Sequence, residues 1–172
     1  MPEPSRAARP APLIVGFHGR GETPASFSAA SGLSAAPAVV AYPRGVTTED
    51  GVTDWQGSPW AARGVDDVGF TRGLVHRLEH DLCIDRDRVY AVGHSDGGNL
   101  AAQVACALPH RIAAVATYGG AFYGQDAICG RRPTAVLEMH SVDDPVVPYD
   151  GLRLPMTTLA PVPDLVRAQA DV

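Results

Sequence analysis

The chain contains no lysine. Its 14 cationic residues are all arginine, set against 19 Asp and Glu in 172 residues, for a formal net charge of −5 and a pI near 5.6. An acidic balance argues against nucleic acid or an anionic membrane as the main partner, because both select for basic patches. Long apolar runs are missing as well: the longest, such as residues 112–117, fall far below the roughly 20 residues a bilayer span needs. The start, MPEPSRAARPAP, carries four prolines and no apolar stretch of the kind a signal peptide has, so residues 1–11 read as an irregular lead-in to a soluble domain. Cysteine is scarce. Cys83, Cys106 and Cys129 do not have metal-ligand spacing, and no H-E-x-x-H, paired-cysteine or G-x-x-x-x-G-K pattern occurs, so no metal and no cofactor is expected. No histidine follows His140.

What is present fits one domain, residues 1–172, with an ordinary 45% hydrophobic content. Short apolar runs with β-branched residues at 13–17, 38–42, 88–92, 112–118 and 134–140 end at Gly, Pro or polar residues and predict strands. Between them, Val68, Val75, Leu78 and Leu82 fall on one face of a helix over 65–82, with Asp66 and Asp67 where a cap and the helix dipole favour acid. Leu100, Val104 and Leu108 define a second helix over 98–108, ended by Pro109, and 163–170 reads as a short terminal helix after a loop from 152. Alternating strands and helices predict a mainly parallel sheet with helices on both faces and ligands at the carboxyl ends of the strands.

One such end carries Gly93-His94-Ser95-Asp96-Gly97. A serine between strand and helix, with glycine two residues before and after, is the pattern of a nucleophile elbow: the turn is so tight that only small neighbours avoid a clash. Ser95 is thus the candidate nucleophile. Acyl transfer also needs N–H donors for an oxyanion. Asp96 supplies one and the turn in FHGRGET the other, from Arg20 or alternatively Gly21; His18 is expected to be structural.

Together PLIVGFHGRGETPASF, AYPRG, GVDDVGFTRGLVHRL, DRDRVYAVGHSDGGNLAAQVACALPHRIAAVA and VLEMHSVDDPVVPYDG resemble the polyhydroxybutyrate depolymerase and feruloyl or acetylxylan esterase group of α/β-hydrolases, over residues 12–151. The resemblance implies an α/β-hydrolase sheet lacking the first strands and the C-terminal strand and helix. It also implies carboxylic ester hydrolysis by an acyl-enzyme route, on a small-molecule or polymer ester. It makes Asp144, in HSVDDPVVPY, the acid, with Asp143 as the alternative, and places Trp55 and Trp60 in a substrate-facing loop. Secreted members carry cysteines at positions like Cys106 and Cys129, which implies a disulfide there. Two departures stand out. The group often has Asn where this chain has Asp96, and its catalytic histidine follows the acid, whereas residues 145–172 hold none. Three expectations follow: an esterase whose base lies in a piece missing from this chain, a non-catalytic relative that binds a ligand or partner in its cleft, or an enzyme with a base from His140 or a second subunit.

Overall fold

The computed structural model describes residues 9–123 and 134–170. Five parallel strands form one sheet in the order β2-β1-β5-β6-β7, from β1 (Ala11–Phe17), β2 (Val39–Ala41), β5 (Ile84–His94), β6 (Ala114–Tyr118) and β7 (Ala135–Met139). Two short antiparallel pairs lie outside it: β3 (Val46–Thr47) with β4 (Thr53–Asp54), and β8 (Leu152–Arg153) with β9 (Thr158–Leu159). The helices are α1 (Pro24–Ser31), α2 (Asp67–Asp81), α3 (Asp96–Ala107) and α4 (Val162–Ala170). Ala11, expected in the lead-in, already pairs with Ile84, because an apolar strand gains more by joining the sheet than a loop does by staying wet.

Alternation along β1 sets the layers. Leu13, Val15 and Phe17 are fully buried and join Val75 of α2 with Leu100 and Val104 of α3 in the main core. On the other face, a Cβ on Gly16 would stand 3.1 Å from Phe27 of α1 and 3.2 Å from Tyr42, so glycine lets α1 and the Tyr42 ring lie close on that side. α4 packs Leu165 onto Ala102 and Phe122. Asp66 caps α2 by accepting the Gly69 N–H, and Asp67 turns inward to accept the Gln56 N–H at 2.7 Å, tying the loop before α2 to its first turn. α1 owes its start to Thr23 and Ser26, each side chain bonding the other's backbone N–H.

Beyond α1 the second face is less covered: Tyr118, Leu137 and Met139 are all about half exposed. With Phe27, Leu33, Val92, His94 and Ala116, Tyr118 and Met139 border a largely apolar cavity of about 420 Å³.

Candidate active site

β5 runs to His94 and α3 begins at Asp96, so Ser95 alone makes the turn between them. Its backbone, φ 52° and ψ −121°, has the one positive φ of a non-glycine residue among the described residues, a conformation costing of order 1–3 kcal/mol. The surroundings hold it there. The Ser95 N–H donates to Tyr118 O at 3.0 Å, and its carbonyl accepts from Gly98 at 2.9 Å and Ala121 at 3.1 Å. A Cβ on Gly93 would fall 2.1 Å from Gly97 O, and one on Gly97 would fall 2.3 Å from Phe17 O and 2.4 Å from His18 O. The two glycines flanking the serine are therefore demanded by backbone touching backbone.

The turn after β1 abuts this elbow: the Cβ position of Gly19 is 3.3 Å from Ser95 Cβ. Within that turn Gly19 donates its N–H to Glu22 Oε2 at 2.8 Å, and Gly21 donates to Thr53 O at 2.8 Å. The Arg20 N–H has no acceptor among the described residues, which favours Arg20 over Gly21 as an oxyanion donor. Asp96, as the first residue of α3, likewise has an N–H without an intrahelical acceptor. His18 is fully buried: its Nδ1 lies 2.8 Å from Gly19 O and its Nε2 accepts the Gly45 N–H at 3.0 Å. Both ring nitrogens serve the loops, and burial lowers its pKa.

The Asp96 carboxyl is buried and accepts the Tyr123 hydroxyl at 2.6 Å. Burial is the main cause that pushes its pKa up to about 6, and the neighbouring Asp54 adds to the rise. Asp54 is itself buried, accepts from Ser58 Oγ and the Trp55 N–H at 2.8 Å each, and lies 3.3 Å from Arg20 Nε. Arg20 also pairs with Asp50, and its guanidinium stands 5.4 Å from the centre of the Trp60 ring. Trp60 meets Tyr123 edge-on at 6.1 Å. Asp96 thus anchors a chain of polar and aromatic contacts beside Ser95.

Asp144 lies in the loop after β7. Its Oδ1 accepts the N–H groups of Val146 and Val147, both at 2.8 Å, and these bonds hold its pKa below the usual carboxylate range. Its Oδ2 takes no hydrogen bond among the described residues and lies 3.6 Å from the Cβ position of Gly119, one residue beyond the Tyr118 carbonyl that holds Ser95. Asp143 offers only its N–H, to Ser141 Oγ. Of the two aspartates, Asp144 has the carboxylate that loop N–H groups hold in place.

None of the six histidines is hydrogen-bonded to Ser95. His94 points its Nδ1 at Glu22 Oε1, 3.0 Å away, and stacks on Tyr118. His140 is buried, with Nδ1 3.0 Å from Glu138 Oε1 and Nε2 2.7 Å from Val147 O, so neither nitrogen is free to take a serine proton. Glu138, whose pKa burial raises, also accepts from Thr117 and the Gly120 N–H. His76 and His80 lie on α2, and His110 follows α3.

The two tryptophans part company. Trp55, expected to face substrate, is 1% exposed, packs edge-on against Phe17 and donates Nε1–H to His18 O at 2.7 Å; it is a core residue because its indole N–H finds a buried acceptor there. Trp60 is 46% exposed at the rim. Cys106 is disulfide-bonded, while Cys129, its expected partner, lies outside the described residues. Sequence reasoning missed Glu22, Asp54 and Tyr123, whose contacts with His94, Arg20 and Asp96 reach far along the chain; the one local hint was the polar spacing of HGRGE.

No family model matches the chain. It is 31% identical over 163 residues to a protein named "Probable feruloyl esterase C" from Aspergillus flavus and 30% identical over 163 residues to feruloyl esterase C of Emericella nidulans, in each case over 88% of this chain. The chain spans 55% of the length of each. Among solved structures it resembles a Bacillus cereus carboxylesterase with a TM-score of 0.64 at 18% identity, over 94% of this chain and 74% of that one. The fold is that of the α/β-hydrolases. Within that fold its sequence is similar to feruloyl esterases over about half of their length; the polyhydroxybutyrate depolymerase side of the resemblance rests on sequence motifs alone. Among the described residues no helix is long and apolar enough to cross a membrane.

Proposed function

We propose that this domain carries out carboxylic ester hydrolysis with Ser95 as nucleophile, the N–H groups of Arg20 and Asp96 as oxyanion donors, and Asp144 as the acid that orients the base. The observation that carries the reading is the strained Ser95 turn, closed by Gly93 and Gly97 against the turn that holds Arg20. A serine hydroxyl attacks an ester carbonyl efficiently when a positioned base takes its proton; the base passes that proton to the departing alcohol as the ester C–O bond breaks, leaving the acyl group on Oγ, and then takes a proton from water, whose attack frees the acid and returns the proton to Oγ. Asp144 Oδ2, without a hydrogen bond of its own, suits the N–H of an imidazole placed between it and Ser95. His140 Nε2 lies 3.8 Å from that oxygen, but both its nitrogens are engaged by Glu138 and Val147 and it makes no hydrogen bond to Ser95, so the proposed mechanism takes its base from outside these residues. Trp60, exposed beside Arg20 and Tyr123, offers an aromatic face for an aromatic acyl group, in keeping with the feruloyl esterase names of its relatives.

A second reading, a cleft that binds an ester or acid without turning it over, is favoured by the same missing imidazole. Added imidazole separates the two. Hydrolysis of p-nitrophenyl butyrate and methyl ferulate is followed with this chain and with Ser95→Ala across a series of imidazole concentrations. The catalytic reading expects a slow rate without imidazole, because the oxyanion donors and binding alone leave roughly 10³–10⁴ over water. It further expects an imidazole-dependent increase that Ser95→Ala abolishes. Equal rates for the two proteins at every concentration would leave only the binding reading.

A further inference from the structure

At the end of the sheet opposite Ser95, α2, the start of β5 and the turn after α3 enclose a second cavity, of about 520 Å³. The strand from Arg86 to Ser95 separates it from the elbow by roughly 30 Å. Its polar lining is Arg72, His76, Glu79, Arg86 and Arg111, with Val75 and Leu108 supplying the apolar part. Arg72, His76 and Glu79 share one face of α2 by their spacing of four and three residues. Three guanidinium groups and a single carboxylate line it, an excess of positive charge in a chain that is acidic overall.

The carboxylate is the informative member. Glu79 has a side chain only 1% exposed. Its Oε2 pairs with Arg111 and lies 3.8 Å from Arg86 Nε. Its Oε1 is buried and has no hydrogen-bond partner among the described residues. A desolvated carboxylate oxygen without a donor is unfavourable, and it asks for an N–H or O–H that the described residues do not supply. Arg72 meanwhile makes no ion pair among the described residues. The cavity therefore offers cationic walls together with one buried acceptor. A fully deprotonated anion satisfies the first and is repelled by the second.

We propose that this cavity binds a small oxyanion that keeps a hydroxyl proton, with the arginines taking its charged oxygens and Glu79 Oε1 accepting its O–H. Hydrogen phosphate has this chemistry at neutral pH, and so does a hydroxycarboxylate; sulfate and a simple carboxylate do not. The site is separate from the ester-cleaving centre and stands whether or not Ser95 turns over substrate.

Calorimetric titration at low ionic strength and neutral pH tests it with two matched pairs, inorganic phosphate against sulfate and glycolate against acetate. The hydroxyl-bearing member of at least one pair should bind about tenfold or more tightly than its partner, and the pair that discriminates identifies the source as phosphate or hydroxy acid. Arg72→Ala, at an exposed position, should weaken the favoured anion by about fivefold. Glu79→Gln should abolish the discrimination while retaining anion binding. Should Glu79→Gln fail to fold, the matched pairs and Arg72→Ala still decide. Ser95→Ala should leave every titration unchanged, which places the binding away from the elbow. Equal binding within both pairs, no binding of any of the four anions, or loss of binding in Ser95→Ala overturns the proposal.

Discussion

In the proposed mechanism the turn at Ser95 and the loop at Asp144 serve one reaction, yet they are held in different ways. Around Ser95, backbone presses on backbone: Gly93 and Gly97 leave no room for a methyl group, and four main-chain hydrogen bonds fix the strained residue. Around Asp144 the chain is open, with Val142 at 72% and Val146 at 76% exposure, and the carboxylate is set by two bonds to N–H groups only two and three residues ahead. A strained conformation persists only where its surroundings over-determine it, whereas an aspartate bonded to its own loop is a local arrangement. The nucleophile turn thus draws on the stability of the whole domain, and the acid loop does not.

Gly97→Ala attacks the closed region most directly and should have the largest effect. Its Cβ would meet two carbonyl oxygens of the chain leaving β1, so a loss of about 4 kcal/mol or more, or failure to fold, is expected in urea unfolding. A loss under about 1 kcal/mol would mean the turn relaxes freely and the contrast with the acid loop is false.

Asp96→Asn comes next, and its effect depends on pH. The folded-state pKa is raised to about 6 from 3.8, so the folded protein holds this proton more tightly than the unfolded chain. The associated stability is full below the unfolded value and is lost as pH rises through about 6, a loss of about 3 kcal/mol. Asn keeps an acceptor for Tyr123 and escapes that loss. Relative to wild type it should gain about 3 kcal/mol between about pH 4 and about pH 8, measured by urea unfolding at both; a difference independent of pH would show that Asp96 does not titrate as its burial requires.

Ser95→Gly removes the strain without adding bulk and should stabilise the fold by about 1–2 kcal/mol, read as a higher denaturation midpoint. Destabilisation would place the strain elsewhere. Asp144→Ala should cost least, about 1 kcal/mol or below, because only its own loop loses bonds. A loss as large as that of Gly97→Ala would show that the acid loop, too, is bound into the core.

Much of the framework was legible in the chain. The five main-sheet strands fall on the apolar runs, α2 begins at its acidic cap, and α3 opens at the elbow. α1 went unread because Pro24–Ser31 has little apolar patterning; its start depends on a cap and its place on Phe27 meeting Gly16. Trp55 was misread for a related reason. An aromatic in a Gly- and Ser-containing loop has the composition of a binding loop, and only the buried carbonyl of His18, 37 residues away, turns it inward.

By itself the sequence determined the elbow. Gly93-x-Ser95-x-Gly97 between a strand pattern and a helix pattern is a local constraint, and steric exclusion over five residues needs no distant partner to be recognised. It determined equally that no histidine follows Asp144. Tertiary structure alone decided that Arg20 rather than Gly21 has the uncommitted N–H, since Thr53 O takes the other. It decided too that Asp96 turns toward Tyr123, and that both nitrogens of His140 are engaged by Glu138 and Val147. Direction and hydrogen-bond commitment depend on which groups the fold brings within about 3 Å, and spacing along a chain does not specify pairings across it.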